Sequence, residues 1–384
     1  MKNSKGLVKL QKPLIKWTGG KFKEFKEFKS FVPNFDRYIE PFFGGGGVFF
    51  ALNPKCNSFA NDKSTDLINF YNQIGNINFR TELYKFIEVW DLIKKFSLIT
   101  NSEILMIYDE YYNNVIEKDD VPYLVRAVVL THIDNHEYEK LFDNEFLIDF
   151  DNFVSEIVKN LISKINRIAN ISKKEQRNFN KEELGNHIET AYKSGFYIHF
   201  RTLMNKIRKC ELTNISNEKF LAIWYIVREL CYGSMFRFNK SGEFNIPYGG
   251  IAYNKKNLKQ KVDAIFSEGT INLFSKTKFF NLDFEDFINE IKPISSDFMF
   301  IDPPYDSIFS EYDQNSFSRD DQIRLANLLF KSDAKWMLVI KNTEFIYNLY
   351  NKKGMKINSF EKVYTYNVRG RNSRNAKHLI IRNF

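Results

Sequence analysis

Phe298-Met299-Phe300-Ile301-Asp302-Pro303-Pro304-Tyr305 is an apolar run that breaks off into an acid, two prolines and an aromatic ring. Four apolar residues without polar alternation predict a strand buried on both faces, as inside a parallel sheet. The prolines lack an N–H and fix φ, so the chain leaves the sheet in a stiff bend at the strand's carboxyl end. In open α/β sheets that edge is where ligands bind. The bend also carries chemistry. An exocyclic aromatic amine is a poor nucleophile because its lone pair is delocalised into the ring, and it needs acceptors that draw its N–H groups out of plane. Asp302 supplies a carboxylate oxygen, and the Pro303 carbonyl, which no ladder partner need claim, supplies a second. Tyr305 offers a face on which an extruded base stacks. A solvent-facing turn closing a strand is the plainer alternative, and only context separates the two.

That context lies near the N-terminus. Lys16-Trp17-Thr18-Gly19-Gly20-Lys21 follows the extended Pro13-Leu14-Ile15 and precedes a helix-like run from Lys23 to Phe31. Paired glycines let backbone approach a ligand, Trp17 offers a flat face, and Lys21 can meet a carboxylate. Tyr38-Ile39-Glu40-Pro41-Phe42-Phe43-Gly44-Gly45-Gly46-Gly47-Val48-Phe49-Phe50 then reads as strand, glycine turn and helix, with the helix N-terminus aimed at whatever sits above the turn. Four consecutive glycines are entropically costly for a merely structural turn. The stretch has neither the Gly-Lys-Ser/Thr of a phosphate loop nor the spacing of the dinucleotide fingerprint. A ligand joining an amino-acid moiety to a nucleoside fits better. Asn57-Ser58-Phe59-Ala60-Asn61-Asp62 is a second short strand ending in an acid, the position from which nucleotide-binding folds grip ribose hydroxyls. A helix is expected to follow, capped by Ser64 or Thr65.

The 384 residues are enough for two domains, and a composition of 43% hydrophobic and 27% charged residues belongs to a soluble globular chain. The net charge of +9 points to a polyanionic partner. No apolar run approaches membrane-spanning length and the N-terminus has no signal-like apolar core, so a cytoplasmic protein without a membrane partner is expected. Cys56, Cys210 and Cys231 show no paired spacing and read as buried free thiols. His132 and His136 lack the further ligand a metal site needs, so no metal is assigned.

Residues 76 to about 225 are charged and helical in pattern, with an apolar stripe running from Phe153 to Ile168. The Lys/Glu-rich run from Ile171 to Leu184 is the expected exposed loop. Tyr197-Ile198-His199-Phe200-Arg201 and Lys206-Ile207-Arg208-Lys209 interleave rings with bases, as a phosphate-contacting face or a solvated helix face would. Cys231 to Tyr248 alternates apolar and polar residues around Asn239-Lys240-Ser241-Gly242 and predicts a β-hairpin. A two-stranded ribbon of that kind enters a major groove. Downstream, a helix over 318–331, a buried strand Trp336–Ile340, a helix Thr343–Tyr350, a basic loop Val368–Asn375 and a final strand from Lys377 complete the chain.

Taken together, Lys16–Lys21, Glu40–Gly46, Asn61-Asp62, Ser241–Gly249 and Asp302–Tyr305 resemble, in content and order, the α group of the Dam-like, D12-class N6-adenine-specific DNA methyltransferases. The resemblance implies a Rossmann-like, doubly wound α/β methyltransferase fold, with catalytic residues 1–75 and 270–384. Residues 76–269 would be an inserted, mainly helical target-recognition domain containing the hairpin, longer than is typical of the family. It implies S-adenosylmethionine as methyl donor, double-stranded DNA as partner and adenine N6 as acceptor, and it leaves room for a separately encoded cognate restriction endonuclease. Carried over by position, Trp17, Gly19, Gly20, Lys21, Glu40, Pro41, Phe42, Gly44, Gly46, Asp62, Asp283 and Asp302 look like cofactor contacts. Asp302, Pro303, Pro304 and Tyr305 look catalytic, and Lys16, Tyr232, Arg237 and Asn239 look like DNA contacts. Arg237 would read a guanine and Tyr232 would insert into the base stack, with Met235 where a leucine is common, which suggests a GATC-like or GAT-containing site. The loop at 368–375 resembles one lying beside the target base. The rivals are the same chemistry on cytosine N4 or on RNA, against which Asp302 in place of Ser argues, and a catalytically idle DNA-binding or assembly subunit.

Overall fold

The computed structural model describes residues 11–235, 237–305, 317–363 and 375–384. They fall into two compact units, Met1–Ile74 with Ala264–Phe384, and Gly75–Asp263. The basic loop expected at 368–375 lies outside the described residues except for Asn375, the first residue of the last strand.

The first unit is built on a seven-stranded sheet: β1 (Arg37–Glu40), β2 (Ser58–Asn61), β3 (Thr277–Phe280), β4 (Asp297–Ile301), β5 (Lys335–Lys341), β6 (Lys356–Val363) and β7 (Asn375–Arg382), in the spatial order β3-β2-β1-β4-β5-β7-β6. β1 to β5 pair in parallel and β7 runs antiparallel to both of its neighbours. This mixed α/β sheet is consistent with a methyltransferase fold. All five residues of β4 are buried: Asp297 pairs with Arg37 at 2.6 Å, and the four apolar residues after it are covered on both faces, as in a central parallel strand. Met299 and Ile301 face one core layer with Ile39, Leu325, Trp336 and Ile381. Phe300, facing the other way, stacks on Phe28 at 5.6 Å. The first and fourth strands are neighbours although about 260 residues separate them, so their carboxyl ends open side by side where the strand order reverses. β6 was not anticipated. Ile357 packs on one face of the sheet and Phe360 against Phe28 on the other, between exposed Lys356, Asn358 and Ser359, as suits an edge strand.

The second unit is helical. The helices Ile77–Ile99, Asn101–Tyr112, Val121–Ile133, Phe150–Glu175, Lys181–Arg208 and Asn217–Leu230 carry most of it. The expected loop from Ile171 to Leu184 shrinks to residues 176–180. The apolar stripe keeps Phe150–Glu175 helical until Gln176 turns left-handed, and Asn180 opens the next helix with a capping box to Glu183. These two helices cross closely at Gly195, where a Cβ would stand 2.7 Å from Ile157 Cα. The hairpin expected at 231–248 is also corrected. Among the described residues of this stretch the pairing is limited to the isolated bridges Cys231–Tyr248 and Phe238–Phe244, and Tyr232–Ser234 makes a 3-10 turn in which Gly233 and Ser234 depart to positive φ. Of the three thiols, Cys231 alone is buried; Cys56 is half-buried and Cys210 exposed. Among the described residues no helix is long and apolar enough to cross a membrane.

Candidate active site

The bend after β4 and the turn after β1 converge at the carboxyl edge of the sheet. Lys21, almost wholly buried, donates from Nζ to Asp302 Oδ1 at 2.5 Å, to Tyr305 Oη at 2.7 Å and to the Gly19 carbonyl at 3.0 Å. One ammonium therefore ties the N-terminal motif to the acid and the ring of the second motif. Burial pushes the Asp302 carboxyl up and the Lys21 ammonium down, and each partner opposes the other's shift. The second carboxylate oxygen of Asp302 and the Pro303 carbonyl accept no hydrogen bond from any described residue. The Pro304 carbonyl, in contrast, accepts from Gln322 Nε2 at 3.0 Å, which fixes the bend. The Tyr305 ring meets His378 edge-on at 5.5 Å. Burial, with Lys21, Lys362 and Lys341 nearby, depresses His378 to about 3 and keeps it neutral.

The glycine turn is held from above and below. Gly44 and Gly46 have φ of 50° and 64°, and a Cβ on Gly44 would stand 2.9 Å from Trp17 Cδ1. On Gly47 it would stand 2.8 Å from the Lys21 backbone nitrogen. Trp17 thus lies against the turn, and the segment leading to Lys21 rests on it. From the end of β2, Asp62 accepts the Gly44 and Ser64 N–H groups, each at 2.8 Å. Burial raises its pKa against those two bonds. Glu40, the last residue of β1, is fully buried, accepts from Tyr38 Oη at 2.7 Å and is pushed well above the carboxylate range by burial, with Asp302 and Asp62 adding to the rise. Phe42, beyond Pro41, packs with Phe284 and Phe317, each at 5.5 Å. Asp283 caps the helix Phe284–Ile291 and accepts both of its Arg324 bonds through one nitrogen, at 3.1 and 3.0 Å.

Several contributors escaped the sequence reading. Asn61 bonds the Pro41 and Leu282 carbonyls and accepts the Leu282 N–H, lacing the ends of three strands together. Its place in the Asn-Asp pair was the available signal. Gln322, His378 and the Lys362–Glu24 ion pair at 2.8 Å had none, because nothing local marks them.

In the helical unit, Tyr232 is 52% and Met235 41% exposed, and Arg237 is exposed as well. Asn239 instead closes a turn, accepting the Ser241 and Glu243 N–H groups. Lys16, in the first unit, is exposed.

Residues 17–141 and 135–366 match the profile of D12 class N6 adenine-specific DNA methyltransferase. The chain belongs to that family. The enzyme is 25% identical over 378 residues to the type II methyltransferase M.CviBI of Paramecium bursaria Chlorella virus NC1A, covering 97% of this chain and all of that one. It is 26% identical over 364 residues, 90% of each chain, to the type II methyltransferase M.MjaIII of Methanocaldococcus jannaschii. A shorter match, 33% over 122 residues, joins 31% of the enzyme to 40% of the retron Ec67 DNA adenine methylase of Escherichia coli. These relationships make it a site-specific DNA adenine methyltransferase.

Proposed function

We propose that Asp302, Pro303 and Tyr305 activate the target amine, and that the turn after β1 with its surrounding acids holds the methyl donor. The observation carrying this reading is the cluster Lys21–Asp302–Tyr305. Lys21 occupies one carboxylate oxygen of Asp302, which leaves the other beside the Pro303 carbonyl as a pair of acceptors for the two N–H groups of adenine N6. Two bonds to the amine fix its lone pair toward the donor, and such alignment supplies much of the acceleration. Positive charge develops on N6 as it attacks, and Asp302 stabilises it within a poorly hydrated site. The raised pKa of Asp302 also makes it a better resting place for the departing amine proton. The Tyr305 ring, steadied by His378 and Lys21, is the stacking face for the extruded base.

The residues present fit S-adenosylmethionine. Asp302 would balance its cationic groups and Glu40 would hydrogen-bond them, the spare lone pairs of Asp62 would take its ribose hydroxyls, and Phe42 with Asp283, beyond β3, would flank its adenine; Trp17, Gly19, Gly20 and Pro41 would complete the walls. When bound, it supplies an electrophilic methyl group on a sulfonium. Residues 1–75 and 270–384 would then form the catalytic domain and 76–269 the target-recognition insert, reaching double-stranded DNA through Lys16, Tyr232 and Arg237. The full-length match to type II methyltransferases favours service beside a separate endonuclease.

The test is Asp302→Ala. Methyl transfer to DNA, followed with labelled S-adenosylmethionine, is expected to fall by ~10²–10³-fold or more, as when one transition-state hydrogen bond is removed. DNA binding and the fold should persist, and full methyl transfer by that variant would refute the assignment. Sequencing of DNA from cells that express the enzyme yields the modified base and its context together.

A further inference from the structure

The rings and bases at 197–209 divide: Arg208 and Lys209 are exposed, whereas Tyr197 is buried and Arg201 partly buried. Tyr197, Arg201 and Asn205 recur every four residues, so they share one face of the Lys181–Arg208 helix. That face is bound to the segment ahead of Tyr248. Tyr197 Oη and Arg201 Nη1 both donate to the Ile246 carbonyl, at 2.7 and 3.1 Å. Asn205 Nδ2 donates to the Phe244 carbonyl at 3.0 Å, while the Phe244 N–H donates to Asn205 Oδ1 at 2.9 Å. Just beyond, Lys209 pairs with Glu243 at 2.5 Å and the Arg208 guanidinium lies 4.7 Å over the Phe238 ring.

The Asn205 carboxamide thus gives Phe244 the donor and acceptor that a neighbouring strand's peptide would give. The segment needs this. Among the described residues no regular ladder joins its two isolated bridges, and buried backbone groups there take partners from elsewhere. We propose that this helix face is a splint that sets the register of residues 238–246, and that Asn205 is a positioning residue for sequence discrimination. The splint holds one arm of the turn, and the bridges Phe238–Phe244 and Cys231–Tyr248 transmit its register to the other arm, which carries exposed Tyr232, Met235 and Arg237. This rests on the reading of 232–248 as the DNA-recognition segment.

The experiment measures kcat/KM on duplexes carrying the enzyme's own site, taken from sequencing, and on duplexes with one base of it changed. Arg237→Ala and Tyr232→Ala test the reading beneath the proposal; unchanged discrimination in both removes that reading and the splint with it. Asn205→Leu keeps side-chain bulk and loses both bonds, while Asn205→Asp keeps only the acceptor and sets it against the Phe244 carbonyl. Both are expected to lower the ratio of own-site to changed-site turnover by about tenfold or more, the discrimination one well-placed base contact supplies. S-adenosylmethionine titrations should stay at the wild-type affinity, showing the catalytic unit folded. Tyr197→Phe, which leaves Arg201 on the Ile246 carbonyl, should show a smaller loss. If Arg237→Ala relaxes discrimination while both Asn205 variants keep the wild-type ratio, or lose only thermal stability, the splint is overturned and the recognition reading stands.

Discussion

Asp302 and Lys21 are 281 residues apart and share a 2.5 Å bond, so the ionisation of each is a property of the pair. Desolvation makes each charge costly, and breaking a buried pair leaves the remaining charge unpaired. The charged groups around Asp302 are Lys21 and Lys362, which lower its pKa, and Glu24, which raises it; neutral His378 adds no charge above about pH 3. Transfer needs Asp302 ionised, so the acid limb of the rate profile follows its pKa. Lys21→Met removes the strongest opposition to the rise, and the limb should then move to higher pH. Single-turnover methylation measured from acid to neutral pH checks this, and a limb at the wild-type position would show that Lys21 does not govern Asp302.

At the scale of elements, glycine contacts state where backbone must pass backbone. Gly195 lets Lys181–Arg208 cross Phe150–Glu175 with Ile157 Cα and the Glu156 carbonyl at 2.7 and 2.9 Å from a would-be Cβ. Neither neighbour is a movable side-chain tip. Gly195→Ala should therefore destabilise the helical unit by about 1–3 kcal/mol, the usual cost of overpacking. Urea unfolding followed by far-UV circular dichroism measures it, and an unshifted transition would show that the crossing has room. The four-glycine turn works differently: Gly44 and Gly46 are needed for their positive φ, whereas Gly47 is needed for the approach of the Lys21 and Phe22 backbone.

Over the whole molecule, 56 basic against 47 acidic residues make association with DNA an ion-release process. Affinity for duplex DNA should fall by ~10³-fold between 50 and 200 mM salt if about six phosphates are contacted. A fluorescence-anisotropy titration across that range reads the slope, and salt-independent binding would mean that the excess charge serves something else. The charge says nothing about fold, and the two units show why. One is laid down by strands that are far apart in sequence, the other by helices whose stripes are local.

Local chemistry was legible in the chain itself. An apolar run stopped by two prolines must be a buried strand with a rigid exit, and four glycines between strand and helix must be a close-approach turn, because these follow from φ limits and missing N–H groups within a few residues. Periodicity likewise marked the Phe150–Glu175 helix. What the sequence did not contain was partnership. Whether Lys21 met an acid, whether the Tyr197–Lys209 bases faced solvent or a loop, and whether Cys231–Tyr248 formed strands or isolated bridges depended on which distant groups burial brought within 3 Å. Those choices belong to tertiary structure, since a buried charge or peptide group takes whatever partner packing leaves beside it.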